Sequence, residues 1–339
     1  MDYDTSLKDG NGVKKIGYLA LCYHYIRPDE NDSFPGILGT KITQFENQIK
    51  MLKKNFEMIS LDDVLKFSYE KSIFYNEKHR LLVTFDDGLF DHYNAAKVLD
   101  RNGVKGTFFI PTCILKEKLP ANPMIIHYSI ALCGLEQFLD TFRDALKHFE
   151  LSVSEFNVTY ERQKDSVWEK IDEIKSIFKY KLDYKKSRRL LLYIYENLLL
   201  PNFPNILKKI HVDKDQIKEM IEMGHTIGVH THTHISVAAT KLSEDDFYNE
   251  IIFPKKYLEK EFNISVHAFS YPFGERKDYL SSMKLLDKTK EYKLAFTVEE
   301  IVNFDNTSPL EIGRYQPHSN DNVITLKNTL SNIIKKCES

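Results

Sequence analysis

The chain has 339 residues, of which 42% are hydrophobic and 28% charged, with a formal net charge of −2. This is ample apolar material for a large core, and enough length for one α/β barrel carrying an insertion. The near-cancelled charge gives no electrostatic footprint for nucleic acid or for an anionic membrane.

The four cysteines, Cys22, Cys113, Cys133 and Cys337, lie far apart and form no CxxC pair. They predict reduced thiols, not a zinc ribbon or a disulfide framework. The opening MDYDTSLKDGNGVKKIG is polar and acidic where a signal peptide is basic and then apolar, and no run of about 18 apolar residues follows. The expectation is a soluble, cytoplasmic protein with no membrane span.

In chain order, IGYLALC at 16–22 reads as a buried strand that opens into loop chemistry. Thr43 and Glu46 have capping-box spacing ahead of an amphipathic helix carrying Phe45, Ile49 and Leu52, and Ser60 with Asp63 caps a second helix. LLVTF at 81–85 is a buried strand ending in Asp86, Asp87 and Gly88. A helix from His92 to Arg101 stops at Asn102 and Gly103, and GTFFIP at 106–111 is the next strand. Strand, helix and strand at this spacing predict parallel pairing.

Residues 114–212 break that rhythm. Their apolar periodicity predicts helices within 127–149, 165–178 and 185–199, hence a helical insertion in a single domain spanning 1–339. Lys185, Lys186, Arg188 and Arg189, near Tyr180 and Tyr184, read as a solvated helix face. The alternation resumes with a helix at 214–223, a Gly224 cap, the strand HTIGVH, and a helical pattern from Ser243 that Pro254 interrupts or kinks. Strands VHAFSYP at 266–272 and KLAFTV at 293–298 follow, with a helix between them.

In a parallel α/β fold, functional groups collect at the carboxyl ends of strands. Three polar clusters stand there: Asp86-Asp87, the run GVHTHTH at 228–234, and Ser270 to Gly274. Adjacent carboxylates leaving a strand point in different directions, so one can bind metal while the other faces substrate. If the run stays extended, His230, His232 and His234 share a face; a turn after His230 pairs only His230 with His234. Imidazoles with a carboxylate suit zinc, and also cobalt, nickel or manganese.

TFDDG at 84–88, HTHTH at 230–234 and SYPFG at 270–274, in this order, resemble the motifs of the polysaccharide deacetylase family, also known as carbohydrate esterase family four. YHYI at 23–26 and ISLDDVL at 59–65 resemble its poly-N-acetylglucosamine deacetylase branch. The resemblance implies a distorted (β/α) barrel and metal-dependent hydrolysis of an N-acetyl group on a sugar. It makes Asp87, His230 and His234 the metal ligands and Asp86 the general base, with His232 on a variable position. The backbone N–H of Phe273, after Pro272, becomes the oxyanion donor, and Pro272 and Phe273 contact substrate.

Two departures stand out. Ser270 occupies the place of an arginine that orients the base, and no LxH motif supplies a general acid. His318 in GRYQPHSND and His24 at the end of the first strand are the candidate acids, and His24 could instead position the sugar. Arg314 is placed at the substrate, with orientation of Asp86 or a surface ion pair as alternatives, and His127 is a lid contact or an ordinary helix residue. The insertion enters from the catalytic rim, so it either covers the sugar site or serves packing or dimerisation; a cover suits a nucleotide-linked, lipid-linked or short glycan. The rival readings are another deacylase, such as a deformylase or an O-acetyl esterase, and a carbohydrate-binding protein that has lost catalysis.

Overall fold

A computed structural model describes residues 7–8, 14–15, 17–70, 79–151 and 167–338. The apolar runs become strands: β1 is Gly17–Tyr23, β2 Glu57–Ile59, β3 Arg80–Phe85 and β4 Gly106–Ile110. After the insertion come β5 Thr226–Val229, β6 Ala268–Ser270, β7 Leu294–Phe296 and the short β8 Asn303–Phe304. In space the order is β7-β6-β5-β4-β3-β1-β8, with β2 paired to β3. All pairings are parallel except β8 against β1.

The two sides of this path are stitched by residues 312–315. Ile312 exchanges backbone bonds with Ala295 and Thr297 on the β7 side, at 2.9 and 2.8 Å, and Tyr315 with Ala20 and Cys22 on β1, both at 2.9 Å. The result is a distorted (β/α) barrel.

Alternation along each strand sorts side chains between two cores. Leu81, Val83 and Phe85 face outward to the helices, whereas Ala20, Leu82, Phe109, Ala268, Phe296 and Ile312 belong to a separate inner cluster. A Cβ on Gly228 would lie 2.5 Å from the ring of Phe109, so this glycine makes room for the barrel's filling. The inward parity continues past the apolar layer to Cys22, Thr84, Asp86, His230, Ser270 and Arg314, all buried.

Outside the barrel lie α1 Ile42–Asn55, α2 Leu61–Glu70 and α3 Phe90–Arg101. The capping box expected at Thr43 and Glu46 does not form: α1 starts earlier, Thr43 bonds to Asp29, and Glu46 pairs with Lys50 and Arg101. The one at Ser60 and Asp63 does form, with bonds of 2.8 and 3.3 Å.

The insertion contains α4 Asn122–Cys133, α5 Leu135–His148, α6 Val167–Ser176 and α7 Tyr184–Ile194, with π-helical turns continuing α6 to Lys181 and α7 to Leu199. Gly134, at φ +86°, splits what reads in sequence as one helix into α4 and α5. Arg188 corrects the picture of a solvated basic face: it is 8% exposed and donates to the Pro120 carbonyl at 2.7 Å and to Asn122 Oδ1 at 2.8 Å.

Beyond the insertion, α8 is Lys214–Glu222 and α9 is Phe253–Phe262. Pro254 sits in the first turn of α9, directly after a π-helical turn, Tyr248–Ile252, so the extra residue of that turn absorbs the missing N–H. Helices α10 Arg276–Thr289 and α11 Val323–Glu338 complete the shell. No helix among the described residues is long and apolar enough to cross a membrane.

Candidate metal and catalytic site

The carboxyl ends of β3, β5 and β6 meet at one rim. Asp87, His230 and His234 bring ligand atoms within 4.8 Å of one another, all three buried. His230 Nε2 lies 3.4 Å, and His234 Nε2 2.9 Å, from Asp87 Oδ1. His230 Nδ1 lies 2.9 Å from the Ser270 carbonyl and must donate to it, which leaves Nε2 as a lone pair facing Asp87.

Despite these two close nitrogens, Asp87 Oδ1 is buried without a well-formed hydrogen bond among the described residues. Buried polar atoms are rarely left so, and the lone pairs of Asp87 Oδ1, His230 Nε2 and His234 Nε2 converging on one point are what a divalent cation satisfies. The donor set therefore fits such an ion.

This geometry is bought with backbone strain. Asp87, Thr231, His234 and Phe273 all take positive φ, at +82°, +57°, +68° and +65°. Such values in residues other than glycine cost of order 1–3 kcal/mol each and cluster at functional sites. A turn after His230 brings His234 back beside it, rather than leaving the run extended. Glu250, on the π-helical turn, braces this loop by accepting the backbone N–H groups of His232 and Thr233 at 3.1 and 2.9 Å.

His232 points away from the triad. Its ring nitrogens lie 2.8 Å from Thr112 Oγ1 and 2.9 Å from Glu117 Oε1, so it ties the histidine loop to the start of the insertion.

Asp86 sits in a separate polar cage. Arg314 contacts both its oxygens, at 2.8 and 2.7 Å, Ser270 Oγ donates to Oδ2 at 2.9 Å, and Cys22 Sγ lies 3.3 Å from the same atom. Burial pushes the Asp86 carboxyl up, but the Arg314 guanidinium outweighs it, so the group is held well below the usual carboxylate range.

Arg314 is fully buried, with its remaining donors on Thr84, Ser270 and the Thr297 carbonyl. This corrects both its assignment to substrate and the surface ion pair: inward parity on the barrel-closing segment carries it to Asp86. Ser270 is then the small residue that admits a guanidinium arriving from the barrel-closing segment.

The candidate acids separate. His318 is exposed, in a turn where its N–H bonds to Asp321 at 2.9 Å, and it does not line the cavity that holds Asp86 and Asp87, which corrects its assignment as acid. His24 lines the cavity with Asp86 and Asp87, its Nδ1 4.0 Å from Cys22 Sγ. Phe273 also lines it, and its ring packs edge-on against His234 at 4.8 Å, whereas Pro272 is buried and is not part of the lining. The Phe273 N–H has no partner among the described residues.

The insertion supplies one side of the same cavity, through residues such as Met124, His127, Phe178, Lys179 and Tyr184. His127 is thus a cavity contact; its Nδ1 lies 2.9 Å from Tyr25 Oη, and burial pushes its pKa down to about 3. Sequence reasoning missed Tyr25, Lys175, Lys179 and the Cys22 contact, since nothing in a helical pattern marks which residue faces a distant rim.

Residues 193–294 match the family model for polysaccharide deacetylase, a stretch that contains His230, His234 and Ser270 to Gly274. No curated protein sequence matches the chain. Among solved structures it is similar to the Streptococcus pyogenes deacetylase PplD in complex with acetate, at 17% identity and a TM-score of 0.57, covering 94% of this chain and 99% of that one. It is also similar to IcaB from Ammonifex degensii (16% identity, TM-score 0.54, covering 93% and 97%). A third is a de-N-acetylase from Aggregatibacter actinomycetemcomitans (15% identity, TM-score 0.54, covering 92% and 99%). At such identities the likeness carries the fold.

Proposed function

We propose that this chain, whose residues 193–294 match the polysaccharide deacetylase model, is a hydrolase of that kind and removes an N-acetyl group from a sugar with a divalent metal held by Asp87, His230 and His234. The observation that carries this reading is the convergence of the buried Asp87 Oδ1, His230 Nε2 and His234 Nε2 beside the caged Asp86. Zinc is the proposed ion, and cobalt, nickel and manganese suit the same donors.

A bound divalent ion supplies Lewis-acid polarisation of the acetyl carbonyl and lowers the pKa of the attacking water. Asp86, kept ionised by Arg314, accepts the proton of that water. Ser270 and Arg314 fix the carboxylate so that it reorients little as charge moves. The free N–H of Phe273 donates to the oxygen that gains charge, a contact worth about 3 kcal/mol where such donors have been removed. His24, which lines the cavity with Asp86 and Asp87, is the group proposed to give a proton to the departing amine.

The test is acetate release from a panel of N-acetyl and O-acetyl sugars by the metal-loaded protein, with Asp86→Asn as control. Release from N-acetyl sugars that the substitution abolishes supports the reading. Release from O-acetyl esters alone would make it an esterase, and glycan binding without turnover, indifferent to Asp86→Asn, would make it a binding protein.

A further inference from the structure

The deacetylase reading leaves open what kind of sugar reaches Asp86, and the insertion bears on this. The cavity over the rim has a volume of about 370 Å³, near the lower end of the range of about 300–1,000 Å³ in which pockets enclose small molecules. Met124, Ile126, Phe178 and Leu191 of the insertion form an apolar wall above the polar rim.

The wall is tied down on several sides. Tyr180 Oη donates to Asp278 Oδ1 at 3.1 Å, Lys179 Nζ lies 3.2 Å from Asp278 Oδ2, and Lys185 pairs with Asp246 at 2.7 Å. Arg188 holds the start of α4, and His232 holds Glu117. A polymer threading past the rim needs a groove open at both ends, and these ties close one side of it.

The charges lining the cavity are unequal in their commitments. Asp86 is neutralised by Arg314, Glu275 by Lys277 at 2.7 Å, and Lys179 by Asp278. Lys175 is different: its described carboxylate contact is Asp172, 3.9 Å away and 79% exposed, while Lys175 itself lines the cavity. Among the described residues that line the cavity, that ammonium is the cation left to meet substrate.

We propose, on the basis of the deacetylase reading, that the site takes a bounded anionic substrate end-on: one N-acetylated sugar unit joined to phosphate, with Lys175 receiving the phosphate. An ammonium serves phosphate as a point charge without demanding bidentate geometry. The apolar wall then faces whatever the phosphate carries.

The test compares kcat/KM for acetate release from N-acetylglucosamine, its 1-phosphate, a nucleoside-diphosphate conjugate, a polyisoprenyl-diphosphate conjugate and a chitin hexamer. The phosphate-linked sugars should exceed the neutral sugar and the hexamer, and the better conjugate identifies the source of the phosphate. Lys175→Ala should raise KM for the phosphate-linked sugars about tenfold, with the neutral sugar unchanged and Lys175→Arg restoring most of the loss. A preference for the hexamer, or an equal effect of Lys175→Ala on neutral and phosphorylated sugars, would overturn the inference and leave the deacetylase reading intact. Absence of acetate release from every substrate would instead remove the reading on which it rests.

Discussion

Arg314 and Asp86 form a two-pronged ion pair inside the barrel, 2.8 and 2.7 Å apart, with both side chains buried. The pair joins the segment that closes the ring to the strand that carries the candidate base. Removing one partner of such a pair leaves an uncompensated buried charge, which costs about 3–5 kcal/mol.

Arg314→Leu should therefore unfold at lower temperature, and Arg314→Lys should keep the fold but lose the fork. For the lysine variant we expect kcat to fall about 10–100-fold, with metal content unchanged. A full rate in the lysine variant would remove the orienting role.

The histidines of 230–234 should divide two to one. His230→Ala and His234→Ala should lose stoichiometric metal by elemental analysis. His232→Ala should retain it and instead lose about 1 kcal/mol of stability with the Thr112 and Glu117 contacts, a small figure because Glu117 is partly exposed. Metal loss on His232→Ala alone would invert the assignment.

Acid should destabilise the metal-free protein. Burial pushes the pKa of His92 and His211 down to about 4, and that of His127 to about 3, from 6.5. Depressed values mean that the unfolded chain binds more protons between pH 6.5 and about 4, so their stabilisation is present above 6.5 and lost as pH falls. At pH 5 each costs about 2 kcal/mol. Asp91, pushed up to about 6 by burial despite Arg27, works in the opposite sense and offsets part of this. The urea midpoint should fall between pH 7 and pH 5; an unchanged midpoint would contradict the buried neutral imidazoles.

Gly274 takes φ +67°, and a Cβ there would lie 3.0 Å from the Val298 nitrogen. Gly274→Ala should displace the turn that presents the Phe273 N–H, lowering kcat with KM and metal content little changed. Unchanged kcat would detach that N–H from the reaction.

Much of the barrel was legible because a strand buried on both faces is a continuous apolar run, as in LLVTF and GTFFIP. Asp86, Asp87, His230 and His234 were legible as polar residues at the ends of such runs. The segment 312–315 was not, because IGRY interrupts apolar character with the very arginine that points inward, and so orientation of Asp86 stands in the sequence only as one alternative for Arg314. His318 illustrates the converse error: a histidine near the right strand, placed by a turn on the outer surface. Pairing across a barrel sets these outcomes, and linear spacing does not record it.

The central claim is that Asp86 is the base beside a metal held by Asp87, His230 and His234. It is tested most directly by measuring metal content and acetate release on the same sample of Asp86→Asn. The account predicts full metal occupancy and a rate lower by about 10²–10⁴-fold. Full occupancy with an undiminished rate would contradict it.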